Sequence, residues 1–129
     1  MYEIYGDGTK KTFEAKSGGL ATDIPLVVLV NGGTASASEI TAGAIQDYNR
    51  GIILGETTFG KGSVQQWVPL ADSQGAVRVT VARWVTPKDR QIHGKGLEPD
   101  VVIELTEDDM TNAKDPQLDK AVEILTGNQ

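Results

Sequence analysis

Ser36 is the residue whose type and position point most directly to chemistry. It lies in the stretch Thr34–Glu39, where small hydroxyl residues precede a glutamate three positions after Ser36, a capping-box pattern typical of a helix start. At a helix start the free backbone N–H groups and the helix dipole favour negative charge. A nucleophilic hydroxyl and a developing oxyanion can therefore be held close together there. The simpler alternative is that the Ser36 hydroxyl only caps the helix.

Lys61 lies between two glycines in a loop that resembles the front of a phosphate-binding loop. The pattern is Gly55-x-x-x-x-Gly60-Lys61 after a strand-like run. However, Gly62 occupies the position where a magnesium-binding hydroxyl is needed, and the strand-like SVQQWV follows instead of a helix. These departures argue against nucleotide binding. A lone loop lysine is also commonly no more than a solvated cation.

His93 is the only histidine of the sequence and allows a third arrangement. With Ser36 and Asp100 it could form a Ser/His/Asp triad. Because His93 lies in a charged turn, a solvated side chain is the simpler interpretation. The residues alone therefore leave a helix cap, a loop cation and a histidine triad open.

The elements that would position Ser36 form a β-α-β unit. The apolar runs 26–30 and 52–54 are typical of strands buried on both faces of a parallel sheet. Between them, residues 36–48 are predicted to form the crossover helix, with an apolar face and two small residues, Ala42 and Gly43, that would let it lie close on the sheet. The apolar face consists of Ile40, Ala44, Ile45 and Tyr48. The sequence therefore predicts an α/β fold with Ser36 between a strand and a helix.

The remaining segments predict antiparallel strands and a terminal helix. Residues 2–16 alternate around Asp7-Gly8, which indicates a small exposed hairpin. Residues 63–70 and 76–86 predict a second hairpin, and 101–103 predict a short strand. Asp115-Pro116 indicates the start of a helix that ends near Gly127.

The composition limits the classes of function. The 129 residues suffice for a single domain, which the segments divide into a hairpin and linker (1–25), a core (26–105) and an acidic tail with a helix (106–129). The net charge is −6, and residues 104–129 alone contribute −5. Without a basic stripe, nucleic acid is an improbable partner. The absence of cysteine excludes disulfides and thiolate metal sites.

Three segments together resemble one known family. They are TASASEITAGAIQD, GETTFGKGSVQ and TPKDRQIHGKGLEPD, and the similarity extends from about Ile24 to Val102. They resemble the carboxyl-terminal processing peptidases, or tail-specific proteases, which are serine endopeptidases with a Ser-Lys dyad. The resemblance implies a ClpP/crotonase-like α/β core, compatible with the β-α-β unit, together with the hairpin and the C-terminal helix.

The resemblance implies a role for each site residue. Ser36 matches the nucleophile, Lys61, 25 residues later, the general base, and Gln65 the residue that orients the lysine. Glu39 matches a family position and is interpreted as a support of the helix start. A lysine acts as a base only when neutral, in a setting dry enough to lower its pKa from about 10.4 towards 7 or 8. The N–H of Ala37 is the expected oxyanion donor.

By this resemblance the chain is the carboxyl-terminal part of a longer protease. The family's upstream peptide-binding PDZ domain and the strand that supplies a second oxyanion donor are not visible in the sequence. We therefore expect cleavage near the carboxyl termini of protein or peptide substrates, weak or no activity of this fragment alone, and possible self-association. No metal or other cofactor is expected, and an extracytoplasmic or periplasmic location follows from the resemblance. The competing hypothesis is a non-catalytic module that binds peptides at a sheet edge.

Overall fold

The computed structural model describes residues 1–127, apart from the side chain of Ser73, and has an α/β fold with two sheets. The strands are β1 (Tyr2–Tyr5), β2 (Lys10–Thr12), β3 (Val27–Val30), β4 (Ile52–Gly55), β5 (Ser63–Pro69), β6 (Ala76–Val85) and β7 (Val101–Val102). The helices are α1 (Ala37–Asp47), α2 (Glu107–Thr111) and α3 (Pro116–Thr126). A short 3₁₀ turn at Ala71–Ser73 joins β5 to β6.

The parallel sheet has the order β3-β4-β7 and contains the predicted β-α-β unit. Val27 pairs with Ile52 and Val30 with Gly55, and α1 connects these two strands. The core lies between this sheet, α1 and the 92–97 segment, where Val30, Ala42, Ile53, Ile92 and Leu97 are buried together. β3 pairs only with β4, so its other side is a free edge of the sheet.

The buried face of α1 differs from the predicted one. Tyr48 is 73% exposed, and Ile40, Ala44 and Ile45 are only partly buried. The buried residues are Ala42 and Gly43, which were predicted to allow close packing of the helix, together with Glu39 and Asp47. A Cβ added to Gly43 would lie 3.0 Å from the Thr86 side chain. The apolar face predicted by periodicity is only partly buried because two buried carboxylates, each with hydrogen-bond donors around it, hold this helix in place.

Asp47 fixes the carboxyl end of α1 to the loop after β6. Its carboxylate accepts hydrogen bonds from the backbone N–H of Lys88 at 2.7 Å and from Nε of Arg90 at 2.8 Å. Burial raises the pKa of the Asp47 carboxyl, but hydrogen bonds from Thr86, Lys88 and Arg90 outweigh it and hold the pKa below its usual range. The ionised carboxylate therefore stabilises the contact between α1 and the loop after β6 at pH values above the usual pKa of a carboxyl group.

The antiparallel sheet has the order β2-β1-β6-β5. The predicted hairpin around Asp7-Gly8 is present, but β1 also pairs with β6, from Tyr2 opposite Val85 to Tyr5 opposite Ala82. The hairpin is thus part of a four-stranded sheet rather than an isolated exposed element. β5 and β6 form the second predicted hairpin, and β5 is an edge strand of this sheet.

The acidic tail forms two helices where one was predicted. α3 has the predicted Asp115 cap, whose carboxylate accepts from the N–H of Leu118, and ends at Gly127 in a left-handed conformation. α2, a single turn capped by Thr106, was not predicted from the sequence. The predicted tail extends to residues 128–129, which lie outside the described residues. In the described part of the chain, no helix has the length and hydrophobicity needed to cross a membrane.

Candidate active site

Ser36 lies on a strained turn between β3 and α1. Its backbone has φ 59° and ψ −119°, the mirror image of the second residue of a type II turn, which glycine normally occupies. The preceding turn is closed by a hydrogen bond from the N–H of Thr34 to the carbonyl of Asn31 at 2.9 Å. Residues held in such sparsely populated conformations cost about 1–3 kcal/mol and cluster at functional sites. The observed strain therefore marks Ser36 as a candidate functional residue.

The carboxylate of Glu39 connects the Ser36 turn to the Lys61 loop. Glu39 is completely buried. Its Oε2 accepts the backbone N–H of Ser36 at 2.9 Å and that of Lys61 at 2.8 Å. Its Oε1 accepts the hydroxyl of Thr58 at 2.5 Å and the N–H of Gly60 at 2.7 Å. One side chain thus fixes the backbone of both residues that the resemblance identifies as catalytic.

The same contacts explain why the Lys61 loop looks like a phosphate-binding loop. Two successive N–H groups, of Gly60 and Lys61, converge on one anion, and that anion is the carboxylate of Glu39. Gly60 has φ 88°, and a Cβ there would lie 2.8 Å from the nitrogen of Gly96. The loop's glycine and N–H groups therefore serve internal packing, which agrees with the sequence argument against nucleotide binding.

Ser36, Lys61 and Gln65 line one open groove of about 300 Å³. The structure therefore brings the three predicted catalytic residues together. Lys61 is partly buried, and among the described residues its Nζ has no carboxylate partner. In the described chain, neither the Ser36 hydroxyl nor the Gln65 amide is hydrogen-bonded to Nζ of Lys61. Gln65 instead makes a long contact, 3.5 Å from its Nε2 to Oγ1 of Thr80.

The turn before Ser36 offers few free oxyanion donors. Ala37 is the first residue of α1, so its N–H has no partner within the helix. The N–H of Gly33 is already bonded to Oδ1 of Asn31 at 3.0 Å. Within residues 1–127, the N–H of Gly32 donates no hydrogen bond. Ala37 and Gly32 are therefore two local candidates.

The geometry does not support a triad of Ser36, His93 and Asp100. The carboxylate of Asp100 accepts the N–H of Ile53 at 2.8 Å and the side-chain amide of Gln46 at 2.9 Å. Asp100 thus fixes the start of β4 to α1. His93 is exposed and does not line the Ser36 groove. In the described chain, His93 makes no hydrogen bond to either of its hypothetical triad partners.

The cap alternative for Ser36 leads to a stability prediction. In the described structure Ser36 and Glu39 have the capping-box arrangement, but the short hydrogen bond across the first turn is the one from the N–H of Ser36 to the Glu39 carboxylate, at 2.9 Å, and the Ser36 hydroxyl makes no capping hydrogen bond of normal geometry. We therefore expect Ser36→Ala to change the free energy of unfolding by less than about 0.5 kcal/mol. Ser36→Gly should raise it by about 1 kcal/mol, because glycine tolerates φ 59°.

Thermal or urea melts of both Ser36 variants test this prediction. A loss of about 1 kcal/mol in Ser36→Ala would mean that the hydroxyl caps the helix after all. A Ser36→Gly protein less stable than the wild type would contradict the inferred strain.

Several residues in and behind the groove had no role predicted from the sequence. Thr58 is buried and joins two loops, donating to Glu39 and accepting the N–H of Leu97 at 2.7 Å. Trp67, Arg78 and Trp84 line the groove beside Ser36. Alternation along β5 places Trp67 on the face of Gln65, but nothing in the sequence indicates that Arg78 joins them. Within residues 1–127, no three acidic or histidine side chains form a metal site.

The chain is similar to known proteins along most of its length. Residues 2–103 match the model of peptidase family S41. A carboxyl-terminal-processing protease of Synechocystis sp. is 47% identical over 98% of this chain and 30% of the relative. A chloroplastic C-terminal processing peptidase of Tetradesmus obliquus is 50% identical over 75% of the chain and 21% of the relative. The solved photosystem II D1 C-terminal processing protease is 56% identical, with a TM-score of 0.58, over 62% of this chain and 20% of that one.

The matches extend over the segments that build the groove. The family model includes the Ser36 turn, the Lys61 loop and the β5–β6 hairpin, all of which lie within residues 2–103. The chain spans about a third or less of the length of these relatives. With 47% identity over nearly its whole length and a family match over most of it, the chain belongs to peptidase family S41, which includes the carboxyl-terminal processing proteases.

Proposed function

We propose that this chain carries the catalytic residues of a carboxyl-terminal processing protease. Ser36 is the nucleophile, Lys61 the general base and Gln65 the residue that orients the lysine. The protease hydrolyses peptide bonds near the carboxyl termini of protein substrates and uses neither a metal nor another cofactor. The observation that carries the proposal is the buried Glu39 carboxylate, which binds the backbone of Ser36 and Lys61 at 2.9 and 2.8 Å.

The proposed reaction has two halves. Neutral Lys61 accepts the hydroxyl proton of Ser36 while Oγ attacks the scissile carbonyl carbon. The resulting oxyanion takes a hydrogen bond from the N–H of Ala37. Lys61 then gives its proton to the leaving amine, which leaves an ester on Ser36. Water hydrolyses the ester with Lys61 again as base, and Ser36 is regenerated.

Gln65 needs only a side-chain rotation to serve as orienter in this scheme. Its amide makes a single contact, 3.5 Å long, with Thr80, which a rotation gives up at little cost. Its carbonyl oxygen is then free to accept from the lysine. Catalytic hydrogen bonds are often long or absent in unliganded enzymes and tighten when substrate binds.

The fold and the relatives support two finer assignments. The parallel β3-α1-β4 unit, with the nucleophile at the helix start, supports a ClpP/crotonase-like core. Relatives named as chloroplastic processing peptidases support a location outside the cytoplasm. The proposal therefore includes a ClpP/crotonase-like core and a location outside the cytoplasm.

One feature favours a second candidate function. β5 is an edge strand, and several of its residues line the groove. An extended peptide could add to this edge through main-chain hydrogen bonds without being cleaved. The second candidate is therefore a non-catalytic peptide-binding module.

A serine-reactive fluorophosphonate separates the two candidates. The protein is incubated with the probe, its intact mass is measured, and the modified peptide is mapped. The protease predicts a single adduct on Ser36, which Ser36→Ala abolishes. Peptide binding without any adduct would support the module and reject the proposed enzyme.

We also expect this chain alone to be a poor protease. Because it spans about a third or less of its relatives, we infer that an upstream region supplies a second oxyanion donor and the remote binding energy of a peptide-binding domain. Loss of one oxyanion donor costs roughly 10²- to 10³-fold in rate. The 129-residue chain should therefore hydrolyse peptides at least about a hundredfold more slowly than a longer form with the upstream region.

Peptide turnover per labelled Ser36 in the two forms measures this difference. Equal turnover would mean that the second donor is local, and Gly32 is then the candidate because the N–H of Gly33 is already bonded. The free edge of β3 should also favour self-association of the short form, which sedimentation at several concentrations detects.

A further inference from the structure

Arg78 is a charged residue in the catalytic groove that the proposed reaction does not use. It lies on β6 directly opposite Trp67 of β5. Its guanidinium carbon is 5.8 Å from the centroid of the Trp67 ring, within the range of a cation–π contact. Both side chains line the groove that contains Ser36 and Lys61. The contact with Trp67 therefore places the guanidinium in this groove.

The groove has a charge opposite to that of the whole chain. Among residues 1–127, the charged side chains that line it are Lys61 and Arg78, and no acidic one does. The chain as a whole has a net charge of −6. In the described part of the chain, Arg78 has no salt bridge, since the three ion pairs involve other residues. When Lys61 is neutral and acts as the base, Arg78 is the one remaining charge in the groove.

The position of Arg78 also predicts how far from the reacting residues it would contact a bound peptide. Trp67, its cross-strand partner, is four residues from Ser63 on β5. Four residues of strand span about 13 Å. A substrate extended across the groove parallel to β5 would therefore present to Arg78 a group that lies roughly four residues from Ser63, at the end of β5 nearest Lys61.

We infer that Arg78 binds a carboxylate of the substrate peptide and thereby determines specificity; this inference rests on the proposed proteolytic function. A guanidinium matches the two oxygens of a carboxylate and is always charged. The carboxylate is either the terminal one of the substrate, about four residues beyond the cleaved bond, or an acidic side chain at that distance. Because Arg78 is exposed, the contact is worth about fivefold in affinity at low salt.

Peptide binding to a Ser36→Ala protein tests this inference independently of turnover. The protein is the longest form that contains this chain, and fluorescence anisotropy measures Kd for matched peptides. One pair differs only in a free carboxylate or an amide at the carboxyl terminus, and a second pair in an internal Glu or Gln. We expect about fivefold tighter binding of one carboxylate peptide, and the pair that shows it identifies the source. The preference should shrink at 0.5 M salt, where the charges are screened.

Two further variants in the same background attribute the effect to Arg78. Arg78→Gln should remove the preference, and Arg78→Lys should keep part of it because the charge remains. Arg83→Gln is the matched control, since Arg83 lies on the same strand but lines a different cavity, and it should leave the preference intact. Equal binding of both members of both pairs, or a preference that survives in Arg78→Gln, would overturn the inference.

Failure of this inference is distinct from failure of the proposed function. Fluorophosphonate labelling of Ser36 in the wild-type protein reports the function alone. A labelled Ser36 without carboxylate preference rejects only the role of Arg78. An unlabelled Ser36 with a preference that depends on Arg78 rejects the protease and keeps the carboxylate site.

Discussion

Lys61→Arg is expected to abolish peptide hydrolysis although it keeps the positive charge. The proposed reaction requires Lys61 to accept a proton, and a guanidinium does not deprotonate in proteins. Loss of the base leaves the hydroxyl of Ser36 without activation. We expect kcat/KM to fall by at least about a hundredfold, because general base catalysis contributes 10²- to 10⁴-fold. Hydrolysis of a fluorogenic peptide by the longest form of the protease measures the loss.

His93→Ala is the control for the Lys61 prediction. His93 is exposed and does not line the groove, so its removal should change kcat/KM by less than about twofold. An active Lys61→Arg protein together with an inactive His93→Ala protein would reject the dyad in favour of a histidine base.

Glu39→Gln is expected to reduce both stability and activity. The Glu39 carboxylate accepts four hydrogen bonds, two on each oxygen. A glutamine has one acceptor oxygen, so in either orientation its amide group faces two donors and leaves them unpaired. Each unpaired buried group costs about 1–3 kcal/mol, and we expect a loss of at least about 3 kcal/mol. Misplacement of Ser36 and Lys61 by about 1 Å should lower kcat by about a hundredfold.

Asp47→Asn is a matched control for the effect on activity. Asp47 is a buried carboxylate at the other end of α1, where it accepts from Lys88 and Arg90. Its substitution should reduce stability by a similar mechanism but leave kcat per folded molecule nearly unchanged. Urea melts and labelling of Ser36 below the melting range separate the two effects. If both variants lose stability and neither loses kcat, Glu39 has only a structural role.

The sequence predicted secondary-structure elements correctly where the pattern depends on residues that are close together in the chain. Apolar runs with glycine boundaries predicted β3 and β4, and the Ser36 capping-box pattern predicted the start of α1, because these features act through near neighbours. Asp115-Pro116 predicted α3 for the same reason. The family resemblance then identified residues that the structure brings into one groove.

The sequence failed where long-range polar contacts determine the structure. Periodicity predicted an apolar face of α1, but the buried residues include Glu39 and Asp47, whose donors in other segments lie 19–43 positions away. Nothing local to Glu39 indicated that its carboxylate also binds the Lys61 loop. Arg78 enters the groove only because β6 pairs with β5, a contact set by the register of the hairpin.

The most direct measurement of the central claim is the rate at which a fluorophosphonate modifies Ser36 in the wild-type protein and in Lys61→Arg. The probe needs only the activated hydroxyl and no bound peptide, so its rate reports the base without contributions from substrate recognition. If Lys61 is the base, Ser36 should be modified in both proteins but at least about a hundredfold more slowly in the variant. Equal rates of modification would contradict the Ser36–Lys61 dyad.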